Sequence, residues 1–336
     1  MNLNIKHKKV AFWSFYICIL LIFMIGIGGY TRLTDSGLSI VEWKPVTGIW
    51  YPVTDQGWQQ EFNKYQNSPE YKQVNFAMSL AEFKKIYFVE YFHRLFGRML
   101  GVFFFVPFVF FAVKKYFMGK DIYKFFGVLL LGGFQGFVGW YMVTSGLVKD
   151  PHVSHFRLSF HLVMAIFIYA CLFWQGLNYL SNNFSKRFTL FNKAGFLLVL
   201  AMLQIFYGGL VAGLDAGKIY NQFPMMGDSL IPKEMRGLDI LEVLFYNPVT
   251  VQFIHRFIGV IFACMVIFIT YRNWRKDIHH EVYLLLSLMV LVQFCLGVMT
   301  LITEVNIQYA LLHQIVAVLI ISNLLLLSHS LIYRKS

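Results

Sequence analysis

The chain has 336 residues, of which 58% are hydrophobic, 18% aromatic and only 14% charged. A soluble domain carries about a quarter charged residues, so this composition excludes a soluble globular protein and places most of the chain in a lipid bilayer. A net charge of +12 would suit a nucleic-acid partner, but most excess Lys and Arg fall in short connections between apolar runs, the positive-inside pattern of a membrane protein, and nucleic acid is excluded with them.

In chain order, Lys6, Lys8 and Lys9 precede the first apolar run, which passes into Gly28-Gly29-Tyr30-Thr31-Arg32 without a small-residue cleavage site. That reads as an uncleaved first helix. Eight apolar segments, at approximately 10–29, 86–113, 123–143, 155–180, 191–213, 248–271, 282–302 and 307–332, are long enough to span. Lys114, Lys115, Lys120 and Lys124, then Lys186, Arg187 and Lys193, then Arg272, Arg275 and Lys276, and finally Arg334 and Lys335, all fall on the side of the basic N-terminus. That side is assigned as cytoplasmic. The opposite connections include two long ones, 30–85 and 214–247, of a length that is usually functional. Trp43, Trp50, Tyr51 and Trp58 place the first of them at the membrane interface. Cys18, Cys171, Cys264 and Cys295 each lie inside an apolar run and read as small buried side chains. The chain shows no long Arg- and Ser-rich transit sequence, which favours a bacterial inner membrane.

Segments one to four echo segments five to eight. Gly28-Gly29 matches Gly208-Gly209, and Tyr91-Phe92-His93-Arg94 matches Phe253-Ile254-His255-Arg256. Gln135 with Gly139 matches Gln293 with Gly297, and His161 matches His313. The predicted fold is therefore an all-α integral membrane protein. Its eight transmembrane helices form two parallel-repeat four-helix bundles, 1–190 and 191–336, with both termini cytoplasmic.

Of the ten histidines, His7, His279, His280 and His329 fall near the cytoplasmic ends and read as interfacial; His152 and His155 fall at an outer turn and read as solvated. The remaining four, His93, His161, His255 and His313, share one depth toward the outer surface, one pair per half. A zinc site would want three or four ligands, usually including Cys, Asp or Glu. Two histidines on facing helices instead suit an axially ligated haem iron in a bundle core. The glycines Gly132, Gly133, Gly136 and Gly139, and Gly209-x-x-x-Gly213, would let a macrocycle or a neighbouring helix approach. Two haems side by side in one leaflet suit electron exchange between adjacent sites rather than transfer across the membrane.

The halves differ chemically. Glu90, one helical turn before His93, is replaced by Gln252 in the second half. An ionisable group in a spanning helix marks a site. Arg157 is placed to pair with a haem propionate and has Tyr309 as its counterpart; Arg32, Arg94, Arg98 and Arg256 are further candidates for propionates. The first half is expected to do chemistry and the second to hold a permanent haem that relays electrons.

These residues resemble the haem A synthase family. The likeness covers nearly the whole chain and rests on residues 28–39 (GGYTRLTDSGLS), Glu90-x-x-His93-Arg94, His161, residues 208–228 (GGLVAGLDAGKIYNQFPMMGD), His255-Arg256 and His313. The stretch from Asn221 to Asp228 resembles the alphaproteobacterial and mitochondrial branch; the outer loops lack the cysteine pairs of another branch. The resemblance implies oxidation of the C8 methyl group of haem O to a formyl group through a hydroxymethyl intermediate, with water as the oxygen source. It implies that His93 and His161 flank the substrate haem O, that His255 and His313 ligate a haem b cofactor, and that Glu90 is the catalytic carboxylate, acting as a base or as an electrostatic stabiliser. Haem O would come from its synthase, a protohaem farnesyltransferase, and electrons would pass to an acceptor the sequence does not name. The open lateral faces would permit a homo-oligomer. Two rival readings remain at this stage: a di-haem b-type electron-transfer protein without substrate chemistry, and a repeat-built transporter.

Overall fold

A computed structural model of the chain describes residues 5–181, 192–274 and 280–332. Lys186, Arg187, Arg275, Lys276, His279, Arg334 and Lys335 lie outside them. The first helix, α1, is Ile5–Leu33. Two short helices follow, α2 (Asp55–Gln66) and α3 (Pro69–Gln73). Then come α4 (Leu80–Val113), α5 (Asp121–Ser145) and α6 (His155–Ser181). The second half supplies α7 (Lys193–Gly213), α8 (Pro248–Asn273), α9 (His280–Ile302) and α10 (Ile307–Ile332). All but α2 and α3 are long and apolar enough to cross a membrane, which matches the eight predicted segments. Among the described residues there is no strand.

The capping chemistry explains several helix starts. Asn192 opens α7 by accepting from the Gly195 N–H at 2.7 Å. Asn247 opens α8, with Pro248 in the first turn where its missing N–H does no harm. Helix α4 starts earlier than predicted because Ser79 and Glu82 form a reciprocal capping box. His93 therefore follows Leu80 by thirteen positions, whereas His255 follows Pro248 by seven. At 1.5 Å per residue α4 projects about 9 Å further. Thr54 caps α2 and Ser68 caps α3. Helix α2 folds onto the projecting end of α4, where Trp58, Phe62, Tyr65, Phe83 and Tyr87 form a buried cluster, and α3 packs on α2 through Tyr71. The connection predicted over 30–85 is thus largely a folded cap. Trp58 belongs to its core, while Trp50 remains exposed.

Helices α1, α4, α5 and α6 close one ring of neighbours, α7 to α10 close a second, and the rings meet through α1, α6, α7 and α10. One end of the bundle carries Lys6 over the Tyr116 ring, His7 against Tyr179, Asn192 against Ser328 and Lys193 against Asn273. This is the terminal end. The opposite, loop end joins Arg32 to Asp215, Arg94 to the Glu42 carbonyl and Asn221 to the Leu301 carbonyl.

The large hydrophobic core lies toward the terminal end. It takes in α1 from Val10 to Ile25, α4 from Phe104 to Phe111, Phe125 and Val128 of α5, and α6 from Ile166 to Tyr179. From the second ring it takes α7 from Ala194 to Ala201, Phe262 and Val266 of α8, α9 from Tyr283 to Val290, and α10 from Val318 to Leu327. In every helix these residues lie on the terminal side of the histidine level. Nearer the loop end lie two smaller clusters, one under the cap and one around Tyr207, Leu210 and Val251.

Candidate functional site: four histidines on four glycines

Each of the four singled-out histidines rests on a glycine of the next helix. An added Cβ at Gly28 of α1 would stand 3.1 Å from Cε1 of His93, and one at Gly208 of α7 would stand 3.3 Å from Cε1 of His255. At Gly139 of α5 it would stand 3.0 Å from His161, and at Gly297 of α9, 2.9 Å from His313. Only a residue without a side chain lets the rings lie this close to the neighbouring backbone. The pairs that echo one another in sequence therefore make the same contact in both rings. His93 and His161 belong to the ring of α1, α4, α5 and α6, and His255 and His313 to the ring of α7 to α10.

The surroundings fit a ligand better than plain packing. All four histidines keep part of their surface open although they sit within the rings. Nδ1 of His93, His161 and His255 is buried without a hydrogen-bond partner. A polar atom left so is expensive unless something else satisfies the ring. His313 differs in that its Nδ1 lies 3.1 Å from the Gln293 carbonyl; the Gln293 amide reaches its Nε2 at 3.3 Å, as the Gln204 amide reaches His255 Nε2 at 3.4 Å. In the first ring the Gln135 amide donates to the His161 carbonyl at 2.9 Å. Among the described residues no three His, Cys, Asp or Glu side chains converge as metal ligands. Two imidazoles per ring could hold a haem iron.

Glu90 is buried, at 3% side-chain exposure, and its carboxylate is fully engaged. One oxygen accepts from Ser39 Oγ and the Ile40 N–H, both at 2.7 Å. The other accepts from Arg94 at 2.6 and 3.0 Å. Arg94 continues to the Ile40 and Glu42 carbonyls. The second ring repeats this with changed polarity. Gln252 donates to the Ala216 and Tyr220 carbonyls at 2.8 and 3.3 Å and accepts from Arg256 at 3.1 Å. Arg256 continues to the carbonyls of Tyr220 and Gln222. Both pairs seat the connection that follows the first helix of their ring. The first connection presents donors to position 90, which calls for a carboxylate. The second presents carbonyls to position 252, which calls for an amide.

The other arginines predicted for propionates also hold backbone. Arg98 donates to the Lys44 and Pro45 carbonyls. Arg157 donates to the Tyr141 carbonyl at 2.6 Å and lies over the Tyr141 ring. Arg32 pairs with Asp35 at 2.8 Å and, across the two rings, with Asp215 at 2.7 Å and the Ala212 carbonyl. Asp35 and Asp215 are equivalent by position, and both adopt a left-handed conformation. Burial alone would raise the Asp215 carboxyl, but Arg32 and Lys218 hold it below its usual value. Arg32, Arg98 and Arg256 each keep one buried nitrogen unpaired.

Several other residues fall elsewhere than predicted. His155 lies not in solvent but on α6 against Gly213 and Tyr246. His329 is buried beside Trp174 and Asn178. Cys18 is buried, whereas Cys264 and Cys295 are exposed on the bundle surface. Gly209 and Gly213 admit Ser159 and His155 of α6, an ordinary close helix contact. Two polar residues were not singled out from the sequence. Gln204 donates to the His255 carbonyl at 3.0 Å, and its signal was an amide in an apolar helix. Glu70 of α3 is buried under the cap beside Tyr65; burial pushes its carboxyl up to about 7, the Tyr65 hydroxyl opposes this, and Glu90 and Asp35 add to it.

Comparison with known proteins agrees with this arrangement. The family model COX15-CtaA, described as a cytochrome oxidase assembly protein, matches residues 11–325. A protein named heme A synthase from Rickettsia bellii is 44% identical over 325 residues, covering 94% of this chain and 96% of that one. Proteins of the same name from Wolbachia pipientis and from the Wolbachia of Brugia malayi are each 42% identical; both cover 92% of this chain, and it covers 89% and 92% of theirs. A match running from the first helix to the last, over the glycines and histidines just described, places this chain in the COX15-CtaA family of cytochrome oxidase assembly proteins.

Proposed function

We propose that this protein is a haem A synthase that oxidises the C8 methyl group of haem O to a formyl group through a hydroxymethyl intermediate. The supporting observation is the set of four histidine–glycine contacts, two per ring at one level, beyond the end of the packed core. The family and the names of its relatives agree with it. With water as the oxygen source, methyl plus water gives formyl, four protons and four electrons, and the electrons leave for a separate acceptor.

We assign the ring of α1, α4, α5 and α6 (1–190) to the substrate, with His93 and His161 flanking haem O. The ring of α7 to α10 (191–336) is assigned to haem b, with His255 and His313 as ligands. Haem b, when bound, supplies a redox centre through which electrons can leave the substrate site. Glu90 is the carboxylate of the substrate ring. Its four hydrogen bonds hold the carboxylate in a fixed place, which suits an electrostatic role. It would stabilise positive charge developing at the reacting carbon while keeping the cap seated. Arg157, Arg32, Arg94, Arg98 and Arg256 hold the backbone above the two sites, and the unpaired nitrogens of Arg32, Arg98 and Arg256 remain for propionates. The bilayer is a bacterial inner membrane with the loop end periplasmic, and haem O arrives from its synthase.

Purified protein supplied with haem O tests the reading. Extracted pigment should contain haem B together with the hydroxymethyl product or haem A. Pigment with haem B alone, two per chain, and no conversion would establish the di-haem carrier instead. A preparation without haem absorbance would favour the transporter.

A further inference from the structure

The seam between α4 and α5 differs from its counterpart between α8 and α9. It is the loosest contact between neighbouring helices in either ring. Toward the terminal end the seam is closed by Phe108 and Phe126, whose ring centroids lie 6.5 Å apart. Toward the loop end it is roofed by Trp140, which packs on Trp43 and Phe137. Between these limits stand Gly101 of α4 and Gly132, Gly133 and Gly136 of α5. An added Cβ at any of the four would meet nothing within 4 Å. One turn beyond Gly136, Gly139 carries the His161 ring, whose buried Nδ1 has no partner. Open space beside the seam thus comes within one turn of the glycine that seats His161.

The second ring carries larger side chains at the same register. Counting from the matched Gln293 and Gly297, the positions of Gly132, Gly133 and Gly136 are taken by Val290, Leu291 and Phe294; counting from the matched His255, that of Gly101 is taken by Ala263. Of these, Val290 is buried, Leu291 is exposed and Phe294 lies against Phe223. At the closed end of this second seam Thr270 of α8 donates to the Tyr283 carbonyl of α9 and accepts from Ser287 at 2.8 Å. Of Gly132, Gly133, Gly136 and Gly139 on α5, only Gly139, under the His161 ring, has a glycine at the matched position of α9, Gly297. The sites therefore share a way of seating a histidine, and they differ in whether space runs from it to the lipid.

We propose that the α4–α5 seam receives the long isoprenoid chain of the substrate haem. This rests on the reading of the first ring as the haem O site. Haem O and haem b differ at one ring position, where haem O bears a farnesyl-derived chain. A site for haem b needs no lateral gap, and a site for haem O needs one as long as the chain. The space beside these glycines lies within one to two turns of Gly139, which seats His161. A substrate carrying such a chain slides in from the bilayer with its chain trailing between the glycines, and haem b gains nothing there. The seam is thus the element that sorts the two haems between two otherwise similar rings.

The test copies the second ring into the first. Gly132→Val and Gly136→Phe install the residues of Val290 and Phe294, and Gly101→Ala installs that of Ala263 with the smallest change. Each protein, purified with its second-ring haem intact as evidence of folding, is titrated with haem O and with haem b by Soret absorbance, and haem O conversion is followed by extraction. The expected result is haem O binding weakened by about tenfold or more in Gly136→Phe, the low end of overpacking effects. Haem b binding to the first ring should stay unchanged, and Gly101→Ala should lie between wild type and Gly136→Phe. Equal loss of both haems, or haem O affinity and turnover at the wild-type level in Gly136→Phe, would overturn the assignment. In the wild type itself, equal first-ring affinity for haem O and haem b would also overturn it, leaving an ordinary lipid acyl chain as the occupant. A wild type that binds haem O preferentially but never converts it would refute the proposed activity and leave the seam assignment standing.

Discussion

Replacing the four cradle glycines by alanine, one at a time, gives a graded test of the site. An alanine Cβ would stand 2.9 Å from the ring at Gly297, 3.0 Å at Gly139, 3.1 Å at Gly28 and 3.3 Å at Gly208. Ordinary contact begins near 3.4 Å, so the His313 ring must retreat by about 0.5 Å and the His255 ring by about 0.1 Å. Metal–ligand distances tolerate roughly 0.2 Å. The larger displacement exceeds that tolerance and the smaller does not. Overpacking of this kind costs about 1–3 kcal/mol, and each 1.4 kcal/mol is about tenfold in affinity. Gly297→Ala should therefore lose haem b by one to two orders of magnitude in affinity, while Gly208→Ala stays near wild type. In the first ring Gly139→Ala should weaken haem O binding more than Gly28→Ala. Haem per protein from pyridine haemochrome spectra, with Soret titrations for affinity, would read the series. Full haem content in Gly297→Ala together with loss in Gly208→Ala would refute the view that the rings are held at a fixed ligating position by the glycine backbone.

Three further outcomes follow from the same contacts. Glu90→Gln places an amide among donors and should abolish haem A formation while making the segment from 34 to 54 more sensitive to protease. The loss of charged hydrogen bonds there is about 1.5–3 kcal/mol each; Gln252→Glu should unseat the second connection in the same way, and activity of Glu90→Gln at the wild-type level would exclude a role for the charge. Arg32→Ala should loosen the two rings at the loop end: Asp215, held below its usual pKa in the folded protein, contributes stability that is present above its unfolded value and lost as pH falls through its lowered one. That acid-side loss, read by thermal unfolding at a series of pH values, should be smaller in the variant. Glu70 has the opposite sign, because its folded pKa of about 7 lies above the unfolded value of about 4.3. Its contribution is complete below about 4.3 and lost as pH rises to about 7, so Glu70→Gln should stabilise the cap above neutral pH and flatten this part of the profile.

Much of the architecture was legible because a bilayer makes polar residues conspicuous. The eight spans follow from run length, and four histidines, two glycine pairs and two His-Arg steps in matching order disclosed the echo between the halves. The partners of Glu90 were not legible, because Ser39 and Ile40 lie about fifty positions away in an irregular segment. The contrast of Glu90 with Gln252 was visible, yet its local cause is a difference in which backbone groups the two connections turn inward. The arginines were legible as candidates for propionates; that they also hold backbone carbonyls of the connections was not, because those carbonyls lie in long unpatterned segments. Helices α2 and α3 were hidden by their short length, although Thr54, Ser68-Pro69 and Ser79-x-x-Glu82 carry the capping signals. The glycines of α5 were read as one group; in space Gly139 is a ring cradle, and Gly132, Gly133 and Gly136 edge an opening.

The placement of the core at the terminal end bears on how the protein is built. Helices that interlock there can find their neighbours and fix their tilt before any pigment is present, because that packing asks for nothing but the chain. The histidine level lies past this interlocked stem, so its geometry is set by leverage from below and by the seated connections above. Amide exchange should then be slowest along the stem and faster toward the loop end. Damage would divide in the same way: a cavity cut at Leu172 or Leu197 threatens assembly of the whole bundle, whereas a change beside a histidine leaves a well-inserted protein that cannot hold its pigment.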